Sequence, residues 1–384
     1  MIQHAHETTD DASAALAHFE EAIQHRVTPN TFLCNTIISK LSKARRAPEA
    51  LQVFEYMKQC NLPRNSVTFG AIINACCKTG DEKTAKELFQ EMLRSKNYKP
   101  RIPPFNTMIQ LYTQGVKQPN REKVLYYYDL MCQQNLSPSD HTYNLLMQAY
   151  GLIEPCDPAS MQRVFQQACN HRNVMINGSH WSTLINVKGC VEKDLEGALA
   201  LFETIQCHPS NFALCQRREG DGPGLPDAVC YEALFNVFVA FKRADLVPRY
   251  VARMAQEGVH MTAYVVNTLI KTYALTGDIE SARELFESLV DPPPGHAAAF
   301  NHPSNPNQQI HQANHHNHQQ KLPGKVGDPV YREPSCFETM IRVEMGNGTK
   351  ERAEELIKRM ECRAYPIAIL NRARKLLEPS NNGN

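Results

Sequence analysis

Two stretches of this chain are imperfect copies of one another. VTFGAIINACCKTGDEKTAKELFQEM begins at Val67, and YVVNTLIKTYALTGDIESARELFESL begins at Tyr264. Self-similarity with a period of about 35 residues is typical of stacked arrays, in which each unit is too small to bury its own apolar face and packs against its neighbours. The pattern therefore predicts one extended scaffold rather than a set of enzyme domains.

The same two-part phrase recurs along most of the chain. The first segments begin at Thr31, Ser66, Ile102, Asp140, Gly178, Ala228, Ala263 and Pro334, and the second apolar segments begin at Ala50, Ala85, Val124, Met161, Ala198, Val247, Ala282 and Ala353. In both segments apolar residues recur three and four positions apart, as on one face of a helix. Each unit is therefore expected to be a helical hairpin, and the fold to be all-α.

The residues between the segments support this interpretation. Gly80-Asp81 and Gly277-Asp278 each place a glycine where a helix ends in the left-handed region, followed by an aspartate that can cap the next helix. Prolines such as Pro63, Pro100, Pro138 and Pro226 follow the second segments and cannot continue a helix. A short turn is thus predicted inside each hairpin, and a stop after it.

These units resemble pentatricopeptide repeats. That family's phrase is an aromatic residue, Asn-Thr-Leu-Ile, then Gly, Ala, Leu-Phe and Met at fixed offsets, and Asn267-Thr268-Leu269-Ile270 through Leu289 reproduces most of it. The match covers about residues 31–368 with interruptions. Tetratricopeptide repeats are also hairpins, but their Trp, Leu-Gly and Tyr anchors do not recur here, since Trp181 occurs in one copy. The resemblance implies a right-handed superhelical solenoid of about eight repeats, ended by a capping helix around Ile367 to Leu377.

The chain is expected to have five parts. They are a partial repeat at 1–30, with a second helix from Ala12 to Gln24; an array at 31–290 with a loop insertion at 207–226; a disordered His-, Asn-, Gln- and Pro-rich insertion at 291–333; a last repeat and capping helix at 334–378; and a disordered tail at 379–384. The histidines of the second insertion are irregularly spaced and are expected to be solvated rather than to bind a metal.

The resemblance also implies which residues contact RNA bases. In the family, the polar residue of the Asn-Thr-Leu-Ile phrase and the last residue before the next repeat select one base together. The pairs are Asn35 with Asn65, Gly70 with Arg101, Asn106 with Ser139, Asn144 with Asn177, Ser182 with Asp227, Glu232 with Thr262 and Asn267 with Glu333. We call these the first and second pair residues. An amide offers a donor and an acceptor for this purpose; alternatively, an asparagine in a first helical turn only caps backbone donors.

The second residue of each repeat is implied to stack on the bases. These residues are Phe32, Val67, Pro103, His141, Ser179, Val229 and Tyr264. Ser179 and Pro103 are poorer platforms than the usual aliphatic residues. By resemblance, the pairs from Asn35 to Asp227 predict an RNA core of pyrimidine, any base, cytosine, pyrimidine and guanine, read from the 5′ end.

The charge of the chain gives arguments both for and against RNA binding. The formal net charge is only +1, whereas affinity for nucleic acids depends strongly on phosphate neutralisation. Residues 31–150 nevertheless hold about 16 Lys and Arg against about 9 Asp and Glu, so this half is expected to dominate binding. The candidate phosphate contacts are Lys40, Lys43, Arg45, Arg46, Lys78 and Lys99. An ordinary solvated turn is the alternative for the group at Lys43, Arg45 and Arg46.

The sequence offers no support for catalysis, a cofactor or a membrane span. It contains no glycine-rich phosphate loop, no HExxH and no HxE followed by CxxC. No apolar stretch approaches the roughly 20 residues that cross a bilayer. The thirteen cysteines form no CxxC pair and are expected to be mostly buried free thiols.

Two functional classes follow. The first is a sequence-selective scaffold for single-stranded RNA, acting in organellar RNA maturation, stability or translation. The second is a helical scaffold that holds protein partners, for example of a ribosome or a processing complex, with RNA secondary or absent. The family implies a mitochondrial location, although residues 1–24 are acidic and unlike a presequence, so we expect a longer gene product or a removed targeting segment.

Overall fold

The structure is a computed structural model that describes residues 12–95, 99–208, 226–291, 330–363, 365 and 367–378. The chain divides into two compact units, Met1–Met175 (unit 1) and Ile176–Asn384 (unit 2). Regular structure in the described ranges is helical, apart from an isolated β-bridge between Val290 and Tyr331. The all-α prediction is therefore confirmed. None of the helices within these ranges has the length and apolar character needed to cross a membrane.

Within the described residues of unit 1, a single helix is followed by four hairpins. The helices are α1 (Ala12–Gln24), α2 (Thr31–Lys43), α3 (Ala47–Gln59), α4 (Ser66–Thr79), α5 (Glu82–Arg94), α6 (Ile102–Gln110), α7 (Arg121–Gln133), α8 (Asp140–Leu152) and α9 (Pro158–Asn170). The even-numbered helices begin the hairpins, and we call them first helices; the odd-numbered ones are second helices. Each first helix packs against the first helix of the next hairpin in the unit.

Where the structure describes it, unit 2 repeats this plan with four hairpins and a closing helix. The helices are α10 (Gly178–Asn186), α11 (Leu195–Thr204), α12 (Ala228–Phe241), α13 (Val247–Gln256), α14 (Ala263–Leu275), α15 (Ile279–Glu287), α16 (Pro334–Gly346), α17 (Lys350–Cys362) and α18 (Ile367–Arg374). The helix α18, which one 3-10 turn extends to Leu377, packs on α16 and α17, as expected of a capping helix. Most of both predicted insertions, 209–225 and 292–329, and the tail 379–384 lie outside the described residues.

The turns inside the hairpins follow the predicted chemistry where glycine is present. Gly80 ends α4 with φ of 76°, and the next amide, that of Asp81, donates to Cys76 O at 3.0 Å. The Asp81 side chain then caps α5 by accepting from Thr84 N at 3.1 Å. Gly277 and Asp278 do the same between α14 and α15. The left-handed glycine and the capping aspartate are therefore confirmed at both places.

An aromatic contact joins consecutive hairpins at a constant register. A phenylalanine of a second helix packs edge-on against the aromatic fourth residue of the next first helix. The pairs, with their ring-centroid distances, are Phe54–Phe69 (5.6 Å), Phe89–Phe105 (5.2 Å), Phe202–Tyr231 (5.0 Å) and Phe286–Phe337 (5.3 Å). These rings are almost wholly buried. Because the contact recurs at one helical position, it fixes which face α4, α6, α12 and α16 turn toward the core.

The chain ends that flank residues 292–329 are held together by a buried arginine. Arg332 is 1% exposed and donates to Phe286 O at 2.9 Å and to Leu289 O at 2.8 Å. Its guanidinium pairs with Asp291 and lies 4.6 Å from the centre of the Phe286 ring. Asp291 also pairs with Arg363 at 2.6 Å. Asp291 and residues 330–333, which the sequence assigned to the disordered insertion, are therefore ordered and form a closed, ion-paired base.

The described cysteines carry free thiols, several of them buried. Burial raises the pKa of the Cys34 thiol to about 11 and that of Cys76 to about 12. These thiols are therefore neutral at physiological pH, which fits a packing role.

Removing the Asp291 carboxylate is expected to destabilise unit 2. Asp291→Ala leaves Arg332 buried without its closest charge partner, and breaking a buried pair in this way costs about 3 kcal/mol. The loss should appear as a lower unfolding free energy in urea, followed by circular dichroism. Asp245→Ala is the matched control, because Asp245 pairs with Arg243 at 2.7 Å on the exposed surface. It should leave the unfolding curve unchanged, and equal losses in the two variants would contradict a structural role for the buried pair.

The same carboxylate should make the stability depend on pH. Burial alone would raise the pKa of Asp291, but the charges of Arg332 and Arg359 lower it below its ordinary value. A carboxyl with a depressed folded-state pKa contributes stability above its unfolded-state pKa, and the contribution is lost as pH falls through the folded-state pKa. The unfolding free energies of the wild type and of Asp291→Asn should therefore differ at pH 7 and converge as the pH is lowered through the folded-state pKa of Asp291. A constant difference across this range would rule out the linkage.

Candidate nucleic-acid interface

The second pair residues are the N-caps of the first helices. Asn65 accepts from Val67 N at 3.0 Å and from Thr68 N at 3.1 Å, and Ser139 accepts from Thr142 N at 3.2 Å. Arg101 and Glu333 also occupy N-cap positions, but their side chains make no capping bond. The capping residues are thereby locked at the start of each first helix, which limits where they can meet a ligand.

The first pair residues do not cap. Each is the fifth residue of its first helix, one turn beyond the cap, so the capping alternative is wrong for these amides. Asn106 and Asn267 are 7% exposed, and Asn144 is 8% exposed. Most of each amide is therefore covered by surrounding atoms, with only an edge at the surface.

Asn106 and Ser139 form the most complete of the predicted pairs. Asn106 Nδ2 lies 3.3 Å from Ser139 Oγ, and Thr142 Oγ1 donates to Asn106 Oδ1 at 2.8 Å. Thr142 also exchanges bonds with Ser139 in a capping box. Thr142 is not among the predicted site residues, and its sequence signal is a threonine three residues after a serine cap.

Asn267 is bonded differently. Its Nδ2 donates to Ser335 Oγ at 3.0 Å, two residues after the predicted partner Glu333. Its Oδ1 is buried and has no hydrogen bond within the described residues, and the same holds for Asn35 Oδ1. Ser335 is the second residue of α16, a position that the sequence pattern assigns to base stacking. Ser335 was therefore not predicted as a partner of Asn267.

The Ser182 and Asp227 pair depends on a glycine. Asp227 caps α12 by accepting from Val229 N at 3.1 Å and Cys230 N at 3.0 Å. Its carboxylate lies so close to Gly178 that a Cβ there would sit 2.0 Å from Asp227 Oδ2. The glycine at the start of α10 thus makes room for the acidic group of the next hairpin.

The remaining pairs are less well defined. Asn144 belongs to unit 1 and Asn177 to unit 2, where Asn177 caps α10. Gly70 offers no side chain, and Glu232 is partly buried, which raises the pKa of its carboxyl. No contact between Arg101 and Gly70 or between Thr262 and Glu232 defines these two pairs, so their roles stay predictions.

The proposed stacking residues are exposed in most repeats. Phe32 and Val67 are 55% and 56% exposed, and Tyr264 is 39% exposed, although all three are large apolar or aromatic side chains. Pro103, His141 and Ser179 are also exposed, whereas Val229 is half-buried. In each first helix this position precedes the first pair residue by three, so the two lie on adjacent parts of one face.

Three basic residues converge where the first two hairpins turn. The pKa of Lys78 is lowered, first by partial burial and then by the charges of Lys43 and Arg45, which places the three cations near one another. We call them the basic turn cluster. Arg46 instead pairs with Glu49 at 3.0 Å and donates to Ser13 at 2.8 Å, so its charge is partly neutralised.

Lys40 lies in the last turn of α2, and Lys99 is exposed before α6. Among the described residues, no three His, Cys, Asp or Glu side chains are grouped in a way that could hold a metal ion. The histidines of the second predicted insertion lie outside the described residues.

Comparisons with known proteins agree with the repeat pattern. A PPR repeat family model matches residues 29–78, and a PPR repeat model matches residues 67–97 and 264–291. Pentatricopeptide repeat-containing protein 5, mitochondrial, of Schizosaccharomyces pombe is 33% identical over 369 residues, which cover 96% of this chain and 26% of that protein. A mitochondrial pentatricopeptide repeat-containing protein of Arabidopsis thaliana is 23% identical over 58% of this chain and 40% of its own length. The chain thus spans less than half of these relatives.

Among solved structures, the crystal structure of the pentatricopeptide repeat protein PPR10 in complex with an 18-nt psaJ RNA element is similar over 72% of this chain and 42% of that chain, at 17% identity and a TM-score of 0.46. The repeated phrase, the stacked helical hairpins and the matches to family models and relatives lead to one conclusion. The chain belongs to the pentatricopeptide repeat family.

Proposed function

We propose that this chain is a sequence-selective scaffold for single-stranded RNA that acts in mitochondrial RNA maturation, stability or translation. The observation that carries the proposal is the constant register of three elements on consecutive first helices. These are position two, which carries an exposed apolar side chain at Phe32, Val67, Pro103 and Tyr264; position five, which is polar except at Gly70; and the N-cap of the following first helix. The first helices in each unit therefore repeat one potential base site per hairpin.

The chemistry of this register suits an unpaired base. An exposed ring or aliphatic group gives a surface for stacking, which is worth about 1 to 3 kcal/mol per base. Asn106 and Ser139 then add hydrogen-bonding groups at the edge of such a base. Large apolar side chains such as Phe32 and Val67 are exposed at positions where a stacked base would cover them.

The basic turn cluster supplies the charge that a polyanion requires. Partial burial lowers the pKa of Lys78, and repulsion from the charges of Lys43 and Arg45 lowers it further. An RNA phosphate close to these side chains would relieve that repulsion and release counterions. This favours unit 1 as the stronger electrostatic contact with RNA.

The mitochondrial part of the proposal is supported by the relatives. The names of the S. pombe protein and of the A. thaliana protein both include the word mitochondrial. The proposal that the chain acts in maturation, stability or translation of RNA rests on the family resemblance.

A scaffold for protein partners is the second candidate, and unit 2 favours it. Here two first-helix residues at position five are acidic, Glu232 and Glu338, and Glu338 pairs with Arg372 at 2.6 Å. Acidic groups at these positions repel phosphate and suit basic protein surfaces better.

Purification of RNA crosslinked to the full chain in cells separates the two candidates. The RNA scaffold predicts recovery of one or a few mitochondrial transcripts, with a footprint of a few nucleotides per unit. Recovery of no RNA above the background of an untagged strain, together with co-purified proteins, would support the protein scaffold instead.

Asn106→Ala is expected to weaken binding to a matching single-stranded RNA by about 1 to 3 kcal/mol, the scale of a lost base contact. Binding to a scrambled RNA should change much less. Titrations of both RNAs measure the effect, with Asn170→Ala as the control because Asn170 is exposed at the end of a second helix. Equal losses on both RNAs would reject base selection by Asn106.

Lys78→Ala is expected to weaken binding to all RNAs alike and to reduce the slope of log affinity against log salt by about one. The reason is that its charge contacts phosphate rather than base. Lys58→Ala serves as the control, since Lys58 is exposed on the second helix α3 and lies 3.8 Å from Glu55. The same slope in both variants would exclude the basic turn cluster from the phosphate path.

A further inference from the structure

The ninth residue of each first helix is polar. In the first helices that the structure describes, α2 to α16, this residue is never apolar and never acidic. All of these side chains are exposed or half-buried, so a ligand can reach them. We call them the position-nine row: Ser39, Asn74, Gln110, Gln148, Asn186, Asn236, Lys271 and Arg342.

Exposure alone does not explain why the row is polar. Successive helical residues are 100° apart, so positions two, nine and thirteen lie within about 40° of one another around the helix axis. Phe32 and Val67 at position two are 55% and 56% exposed, and Leu152 and Leu275 at position thirteen are 49% and 51% exposed. Large apolar side chains are thus tolerated on both sides of the row but do not occur in it.

The row lies between two of the surfaces to which the proposed function assigns RNA contacts. Position two, as at Val67, is the stacking position, and position thirteen carries Lys43 and Lys78 of the basic turn cluster. At 1.5 Å per residue, position nine is about 6 Å from position thirteen and about 10 Å from position two along the axis. In a nucleotide the ribose joins the base to the phosphate. A strand whose bases meet position two and whose phosphates meet position thirteen therefore carries its ribose over the row.

Some row side chains are held by neighbouring hairpins. Asn74 Nδ2 lies 3.1 Å from Ser42 Oγ of α2, and Gln148 Oε1 accepts from Gln114 Nε2, just beyond α6, at 2.6 Å. A side-chain amide has two N–H donors and an acceptor oxygen, and one such bond uses only part of this capacity whichever way the amide is turned. The row amides are therefore partly fixed in place and can still bond to a ligand.

The chemistry of the row suits a ribose hydroxyl. The 2′-hydroxyl of RNA both donates and accepts, as an amide or a serine hydroxyl does, and it is the group by which proteins distinguish RNA from DNA. Neutral side chains at this position add no charge that repels the neighbouring phosphates, and Lys271 and Arg342 attract them. DNA offers the row neither a donor nor an acceptor at this carbon.

We infer that the position-nine row binds the ribose 2′-hydroxyls of the strand and makes the chain prefer RNA to DNA of the same sequence. The inference rests on the proposed RNA function and deepens it, because it adds a sugar contact to the base and phosphate contacts. In unit 1 the contact is made by the amides of Asn74, Gln110 and Gln148.

The experiment compares two strands that differ only at the 2′ position. One RNA is selected by the full wild-type chain from a random pool and is also made as DNA with uracil retained. We expect the wild type to bind the RNA about tenfold more tightly, the scale of several net hydrogen bonds. Changing Asn74, Gln110 and Gln148 together to alanine should lower this ratio to about twofold or less.

A matched control removes the same kind of side chain from a second helix. Gln162, Gln166 and Gln167 are exposed amides of α9, and changing all three to alanine should keep the wild-type ratio of RNA to DNA affinity. Lys78→Ala should weaken binding to both strands alike, since both carry phosphates.

A single hairpin gives a second readout that does not need the triple variant to fold. Gln110 and Asn106 both belong to α6, and Gln110 is exposed at its end. Replacing one ribose at a time by deoxyribose should cost the wild type about threefold at the nucleotide over α6, the scale of one net hydrogen bond. This cost should vanish in Gln110→Ala and persist in Asn106→Ala, which loses a base contact instead.

The inference and the proposed function fail in distinguishable ways. A wild-type chain that selects no RNA from the pool contradicts the proposed function. Equal binding of RNA and DNA by the wild type, or an RNA preference that the triple variant keeps, overturns the role of the row and leaves RNA binding standing. An equal loss of RNA preference in the α9 control, or a deoxyribose cost that Gln110→Ala leaves unchanged, would overturn it as well.

Discussion

The aromatic contact between consecutive hairpins is the constraint on which the rest of the structure depends. Phe89 meets Phe105 at the fourth residue of α6, and Phe286 meets Phe337 at the fourth residue of α16. Successive helical residues are 100° apart, so fixing residue four in the core places residue five at the edge of the packed face and residue two on the opposite side. Burial of the aromatic ring thereby decides which residues remain available to a ligand.

Helix capping supplies the second half of the site. Because each first helix packs against the next one in its unit, the fifth residue of one helix can come close to the cap of the following one, as Asn106 and Ser139 show. Where a cap side chain accepts backbone N–H groups, as those of Asn65 and Ser139 do, a residue proposed to meet a base also begins a helix. Under the proposed function, stability and base selection would then depend on the same side chains.

Much of this architecture could be predicted from the sequence, because the signals are local. Apolar periodicity gives the hairpins, and Gly80 with Asp81 gives a turn within five residues. Other features depend on how segments that are distant in the sequence pack together, and they could not be predicted from local patterns. Lys193 adopts a φ of 56° without being glycine, and Arg332 reaches Phe286 across 46 residues. The family pattern identified Asn106 and Ser139, but the bond from Thr142 depends on how α6 and α8 pack and has no counterpart in the repeat phrase.

The central claim is that successive first helices in a unit meet successive nucleotides. It is tested most directly by placing a photo-crosslinking amino acid at Val67, Pro103 or His141, the second residues of α4, α6 and α8, and mapping the crosslinked nucleotide on one bound RNA. The account predicts three neighbouring nucleotides, in order from the 5′ end. Crosslinks to one shared nucleotide, or scattered without order along the strand, would contradict it.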